Sequence, residues 1–194
     1  MIIGIIKQHK VEPLKLFKNS TNNIFIVTSH STYPILSMFQ DLKSKISITR
    51  FYSKKEFDCI IDELITYKLI NTNILIYNFT DASVLIKYYF FWNYGEYYRN
   101  SKLNNYSKEL CEKFKLISDR NNNIILINKR KEIFDPIKEN FNKDIYQMDC
   151  IGQINYCCDI IAYLNDSALV PIKSNNPEIK LNIPYEPSLE SLFN

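Results

Sequence analysis

Residues 73–79, Asn73-Ile74-Leu75-Ile76-Tyr77-Asn78-Phe79, form an apolar run of strand length that is closed by Thr80 and Asp81. A run that does not alternate has no face to give to water, so it belongs to a strand covered on both sides, as in the middle of a mostly parallel sheet. It reads as the central strand. Residues 24–28, 124–128 and 159–165 have the same character and predict three further inner strands. Residues 46–51 alternate with period two, which places a half-exposed strand nearer a sheet edge.

Helical patterns lie between these runs. Thr32 is placed to cap a helix with Pro34 in its first turn and Ile35, Met38, Phe39 and Leu42 on one face. Ser53-Lys54-Lys55-Glu56 has the form of a capping box, with the serine oxygen meeting the Glu56 N–H and the glutamate reaching back to the Ser53 N–H. Phe57, Ile60, Ile61, Leu64 and Ile65 then mark a buried helical face, and Leu103, Tyr106, Leu110, Phe114 and Ile117 mark another, from Lys102 on. Strand, helix, strand in alternation gives an α/β class with a mostly parallel central sheet flanked by helices. At 194 residues and 46% hydrophobic, the chain fits one domain with a core that needs no disulfide or metal. Residues 2–6 read as a short strand or an arm that docks on a partner. Residues 168–173 and 179–183 read as a C-terminal β-hairpin, and residues 184–194 as a tail. Residues 84–98 hold Tyr88, Tyr89, Phe90, Phe91, Trp92, Tyr94, Tyr97 and Tyr98 and fit neither period, so they are either a wall on the core or an exposed platform for another chain or for bases.

With 24 basic and 21 acidic residues, the net charge of +3 is too small to name a nucleic-acid partner, and local clusters must carry that argument. Lys129-Arg130-Lys131 follows directly on an inner strand. That places three cations at the carboxyl end of the sheet, where such folds present binding loops. A long connection with Lys138 and Lys143 follows, and Arg99 and Lys102, placed in a loop after the aromatic stretch, face the same end. The alternative is a solvated loop. The turn after residues 24–28, Ser29-His30-Ser31-Thr32-Tyr33-Pro34, has neither glycine nor lysine, which argues against a phosphate cradle. Asp81 stands where a magnesium-anchoring acid would sit. Cys150, Cys157 and Cys158, with His9 or His30, do not have zinc spacing and read as buried free thiols, reduced in an intracellular setting.

The order of parts resembles the core of the RecA/RadA recombinase superfamily: an inner strand at 73–79, a basic-aromatic connection, a helix at 103–117, a strand at 124–128, a long loop and a strand at 159–164. The stretch Ile24-Phe25-Ile26-Val27-Thr28-Ser29-His30-Ser31-Thr32-Tyr33-Pro34-Ile35-Leu36-Ser37-Met38-Phe39-Gln40-Asp41-Leu42 is most similar to the small, degenerate recombinase paralogs of the yeast Shu complex, which also lack a phosphate loop. Two departures stand out: the Walker B acid position is Asn78 or Phe79, and the glycines of the second loop are reduced to Gly152. The resemblance implies a degenerate RecA-like domain over residues 1–194 and a nuclear, non-catalytic subunit with no cofactor and no membrane attachment. Such a subunit pairs with a second recombinase-like chain as a heterodimer, binds DNA and assists a recombinase filament in homologous recombination and DNA repair. It assigns DNA contact to Lys129, Arg130 and Lys131, then to Lys138, Lys143, Arg99 and Lys102. The rival expectations are a small α/β nucleotide-binding enzyme or hydrolase using Asp81 and His30, and a structural partner subunit without ligand.

Overall fold

The computed structural model describes residues 1–8, 12–17, 20–29, 45–129, 134–135, 140–141, 148–165 and 169–174. Among them are strands β1 (Ile2–Lys7), β2 (Asn23–Thr28), β3 (Ile46–Arg50), β4 (Thr72–Tyr77), β5 (Asn123–Lys129), β6 (Phe134–Asp135), β7 (Asn140–Phe141), β8 (Ile160–Leu164) and β9 (Leu169–Ser174). Helices α1 (Lys54–Thr66), α2 (Phe79–Ser118) and α3 (Ile154–Cys157) join a 3-10 turn at Pro13–Phe17. Seven strands form one sheet in the order β3-β2-β4-β5-β1-β8-β9, parallel except for β9, which runs antiparallel to β8. The small β6 and β7 pair apart from it. This is the α/β architecture, mostly parallel and closed by a C-terminal antiparallel pair, that the apolar runs predict.

The strand pairing decides three placements. β4 is an inner strand, but the middle of the sheet is β5, because β1, β8 and β9 all lie on its far side. Residues 2–6 are no arm: β1 is paired along both edges, with β5 and β8, and Ile3, Ile5 and Ile6 are fully buried. β9 pairs with β8, whereas residues 179–183 lie outside the described residues, as does the helix expected after Thr32.

The two sheet faces divide the core. Ile2, Ile6, Val27, Ile76 and Leu126 pack under α1 and α2, while Ile3, Ile5, Ile26, Leu75 and Ile127 meet Leu16 and Phe17 of the 3-10 turn. Gly4 lies on the first face, where a Cβ would come 2.6 Å from Met148 Sδ and 3.1 Å from Cys158 Sγ. The missing side chain is what lets Met148 cross β1. Gly4→Val is expected to overpack this point and lower stability by about 1–3 kcal/mol in urea denaturation.

α1 starts at Ser53, whose Oγ accepts the Glu56 N–H at 3.2 Å, and buries Phe57, Ile60, Ile61 and Leu64. The glutamate reaches one residue further than predicted: Glu56 Oε2 accepts the Tyr52 N–H at 2.7 Å. At the opposite end of the sheet, Asn122 is buried and bonded three ways. Its Nδ2 donates to the carbonyls of Leu69 and Ile117, and its Oδ1 accepts the Thr72 N–H. A single side chain thereby ties the end of α2 to the start of β4.

α2 starts at Phe79, well before Lys102, and doubles back. Gly95, at φ 64° and ψ −175°, occupies backbone space essentially reserved for glycine and separates two helical arms, residues 79–94 and 96–118. The Phe79 and Phe114 rings lie 6.3 Å apart and those of Phe90 and Tyr106 5.5 Å apart, so the arms run antiparallel as a helical hairpin. The aromatic stretch is divided between core and surface: Ile86 and Phe90 are buried, whereas Tyr88, Phe91, Trp92, Tyr94 and Tyr98 are exposed.

Candidate functional site

The six parallel strands all point their carboxyl ends at one edge, closing on Lys7, Thr28, Arg50, Tyr77, Lys129 and Leu164. Three of these six residues are cations. Lys7 and Lys129 are register partners on adjacent strands, and Arg50 stands in register with Thr28 two strands further along. The Arg50 guanidinium lies 4.8 Å from the centroid of the exposed Tyr52 ring.

Behind this row the ends of the inner strands are tied together. Asp81, in the first turn of α2, accepts hydrogen bonds on Oδ2 from Ser29 Oγ at 3.2 Å and Asn78 Nδ2 at 2.6 Å, while Lys129 Nζ stands 3.8 Å from Oδ1. Thr80 Oγ1 accepts the Lys129 N–H at 2.9 Å. One carboxylate thus fastens β2, β4 and β5. The Lys129 side chain remains 60% exposed, so its ion pair with Asp81 contributes less than about 1 kcal/mol and leaves the ammonium available to an anion. Tyr77 faces Glu12 across 3.5 Å; burial first, then the Glu12 charge, push its hydroxyl up to about 12, so it stays a neutral donor at physiological pH.

The α2 hairpin overhangs the same edge. α1 begins at this edge, just past β3, and the Lys54 ammonium there lies 4.9 Å from the Tyr89 ring and 4.3 Å from the Tyr106 ring. Residues 91–105 therefore extend beyond the start of α1, off the carboxyl side of the sheet. Lys87 Nζ is 3.6 Å from Asp149 Oδ1, and the Asp149 N–H donates to the Lys129 carbonyl at 3.0 Å, which ties the hairpin to the end of β5. Arg99 and Lys102 lie on the second arm, not in a loop, because the helix runs through these positions. Their charged groups sit 5.8 Å from the Phe91 ring and 5.6 Å from the Tyr94 ring.

Of the residues expected to contact DNA, the structure brings Lys129, Arg99 and Lys102 to one side of the molecule; Arg130, Lys131, Lys138 and Lys143 lie outside the described residues, as does His30. It adds Lys7, Arg50 and Lys87. The signal for Lys7 and Arg50 was their position as the residue closing a strand, which becomes informative only once the strands are known to be parallel.

Open α/β sheets hold ligands where the connections of neighbouring strands diverge. Here that happens between β2 and β4 and again between β1 and β8. In sequence, β1 is followed by Gln8-His9-Lys10-Val11 and β2 by Ser29-His30-Ser31-Thr32, without a glycine in either. Among the described residues no group of three or more His, Cys, Asp or Glu is disposed to hold a metal ion. A hydrogen bond to Cys157 together with burial pushes the Cys111 thiol up, away from reactivity. No helix among the described residues is long and apolar enough to cross a membrane. No protein-family model matches the chain, and no curated protein matches it in sequence.

Proposed function

We propose that this chain is a non-catalytic recombinase-paralog subunit of the nucleus. In this reading it pairs with a second recombinase-like chain, binds DNA and assists recombinase filament assembly in homologous recombination and repair. The observation that carries the DNA-binding part is the convergence of Lys7, Arg50 and Lys129 on the carboxyl edge, with Lys87, Arg99 and Lys102 on the overhanging hairpin. Clustered cations on one side of a nearly neutral chain are the footprint of phosphate contact. Arg130 and Lys131 extend the row in sequence. The partner, the filament and the process come from the RecA/RadA resemblance, with which the parallel sheet agrees in class.

The non-catalytic part rests on the glycine-free sequences that follow β1 and β2 and on Asp81, whose carboxylate is engaged with Ser29, Asn78 and Lys129. Titration of the purified protein with ATP and with labelled DNA, with and without co-purifying partners, tests both parts. DNA binding without saturable ATP binding is expected, and Asp81→Ala is expected to leave nucleotide behaviour unchanged. Micromolar ATP affinity abolished by Asp81→Ala would favour the enzyme reading instead.

A further inference from the structure

The first arm of α2 is apolar on two sides, and only one of them is used. Phe79, Ala82, Ile86 and Phe90 face the core, yet Val84, Tyr88, Phe91 and Trp92 are exposed, Tyr88 by 60% and Trp92 by 79%. A helix with a single apolar stripe is satisfied by one packing partner; a second stripe calls for another occupant. Val84, Lys87, Tyr88 and Phe91, at the i, i+3, i+4, i+7 spacing of one face, line an open depression together with Arg99 of the second arm.

The charge around the rings selects the occupant. Lys87 and Arg99 border the depression and Lys102 lies beside Tyr94 at the tip; among the described residues the nearby acids include Asp149, paired with Lys87, the exposed Glu96, and Asp81 one turn before Val84, held by Ser29, Asn78 and Lys129. Rings bordered by cations suit a ligand that presents flat apolar surfaces on an anionic chain. The surface is also continuous, through Asp149, with Lys129 at the sheet edge. In duplex DNA the base faces are already stacked on each other; in a single strand they are free to leave the stack. We propose that the outer face of the first α2 arm, with Tyr88, Phe91 and Trp92 beside Lys87 and Arg99, is a stacking platform for unpaired bases of single-stranded DNA. This rests on the DNA-binding reading above and adds the strand form and the mode of contact to it.

Trp92 is the only tryptophan of the chain, so its emission reports directly on the platform. The full chain is titrated with oligo(dT), with an abasic oligomer of equal length and with duplex. Oligo(dT) is expected to quench Trp92 and to bind more tightly than the abasic chain. Tyr88→Ala with Phe91→Ala is expected to weaken oligo(dT) binding by about five- to a hundredfold and leave abasic binding unaltered. The two exposed substitutions are checked for fold by circular dichroism. Equal affinity for oligo(dT) and the abasic oligomer, with unchanged emission, would overturn the platform while leaving phosphate contact at the sheet edge intact. Absence of binding to any of the three DNAs would overturn both. Emission that shifts with protein concentration alone would mark the face as a protein interface and overturn the platform.

Discussion

Truncating Phe79 to alanine is expected to cost about 3–5 kcal/mol of folding stability. The residue follows the left-handed Asn78 at the end of β4 and is the first of α2, fully buried at the root of the hairpin. Its ring lies 6.3 Å from Phe57 on α1 and 6.3 Å from Phe114 on the returning arm, so one side chain joins three helical segments to the sheet. Its removal leaves a cavity that Phe57 and Phe114 cannot both fill, and loses two aromatic contacts of about 0.5–1.5 kcal/mol each beyond area burial. The midpoint of urea unfolding should fall with an unchanged slope. Trp92→Ala at the exposed tip should change stability by no more than about 0.5 kcal/mol. A loss below about 1 kcal/mol for Phe79→Ala would mean that the arms do not pack against each other at the base.

The strands were legible because each inner one is an unbroken apolar run, and β3 because it alternates. Their order was not, since a run such as residues 73–79 records burial on two faces and says nothing of how many strands lie to either side. β1 was ambiguous for the same reason: four isoleucines around a central glycine suit an inner strand or a docking arm, and only pairing with β5 and β8 decides. The hairpin was hidden by its own composition. Phe90 faces inward while Tyr88, Phe91 and Trp92 face outward, so no 3.6-residue period stands out, and Gly95 restarts the helix in a new direction. At the candidate site, Lys129 could be placed from sequence because it ends an evident strand. Lys7 and Arg50 join it only through the parallel order of the sheet, and the hydrogen bonds of Asp81 to Ser29 and Asn78 depend on the same order, which brings the ends of β2 and β4 together.

The largest functional effect is expected at the end of β5. Lys129 closes the middle strand of the sheet and keeps its side chain mostly exposed, and Arg130 and Lys131 follow it in the chain. If the three contact phosphates, Lys129→Ala, Arg130→Ala and Lys131→Ala together remove about 0.7–0.9 from the salt slope for each lost contact, roughly 2 to 3 in all. Over a fourfold rise in salt the parent would then lose about 15- to 60-fold more affinity than the variant. The loss should fall on all sequences alike, because phosphate contacts carry no base information, and the Lys129 part of the change should spare the fold, because an exposed cation such as Lys129 contributes little to stability. The decisive measurement is DNA affinity against salt for this variant and its parent, with any co-purifying partner present. A slope lower by 2 to 3 is the predicted result; an unaltered slope would contradict phosphate contact at the carboxyl edge of the sheet.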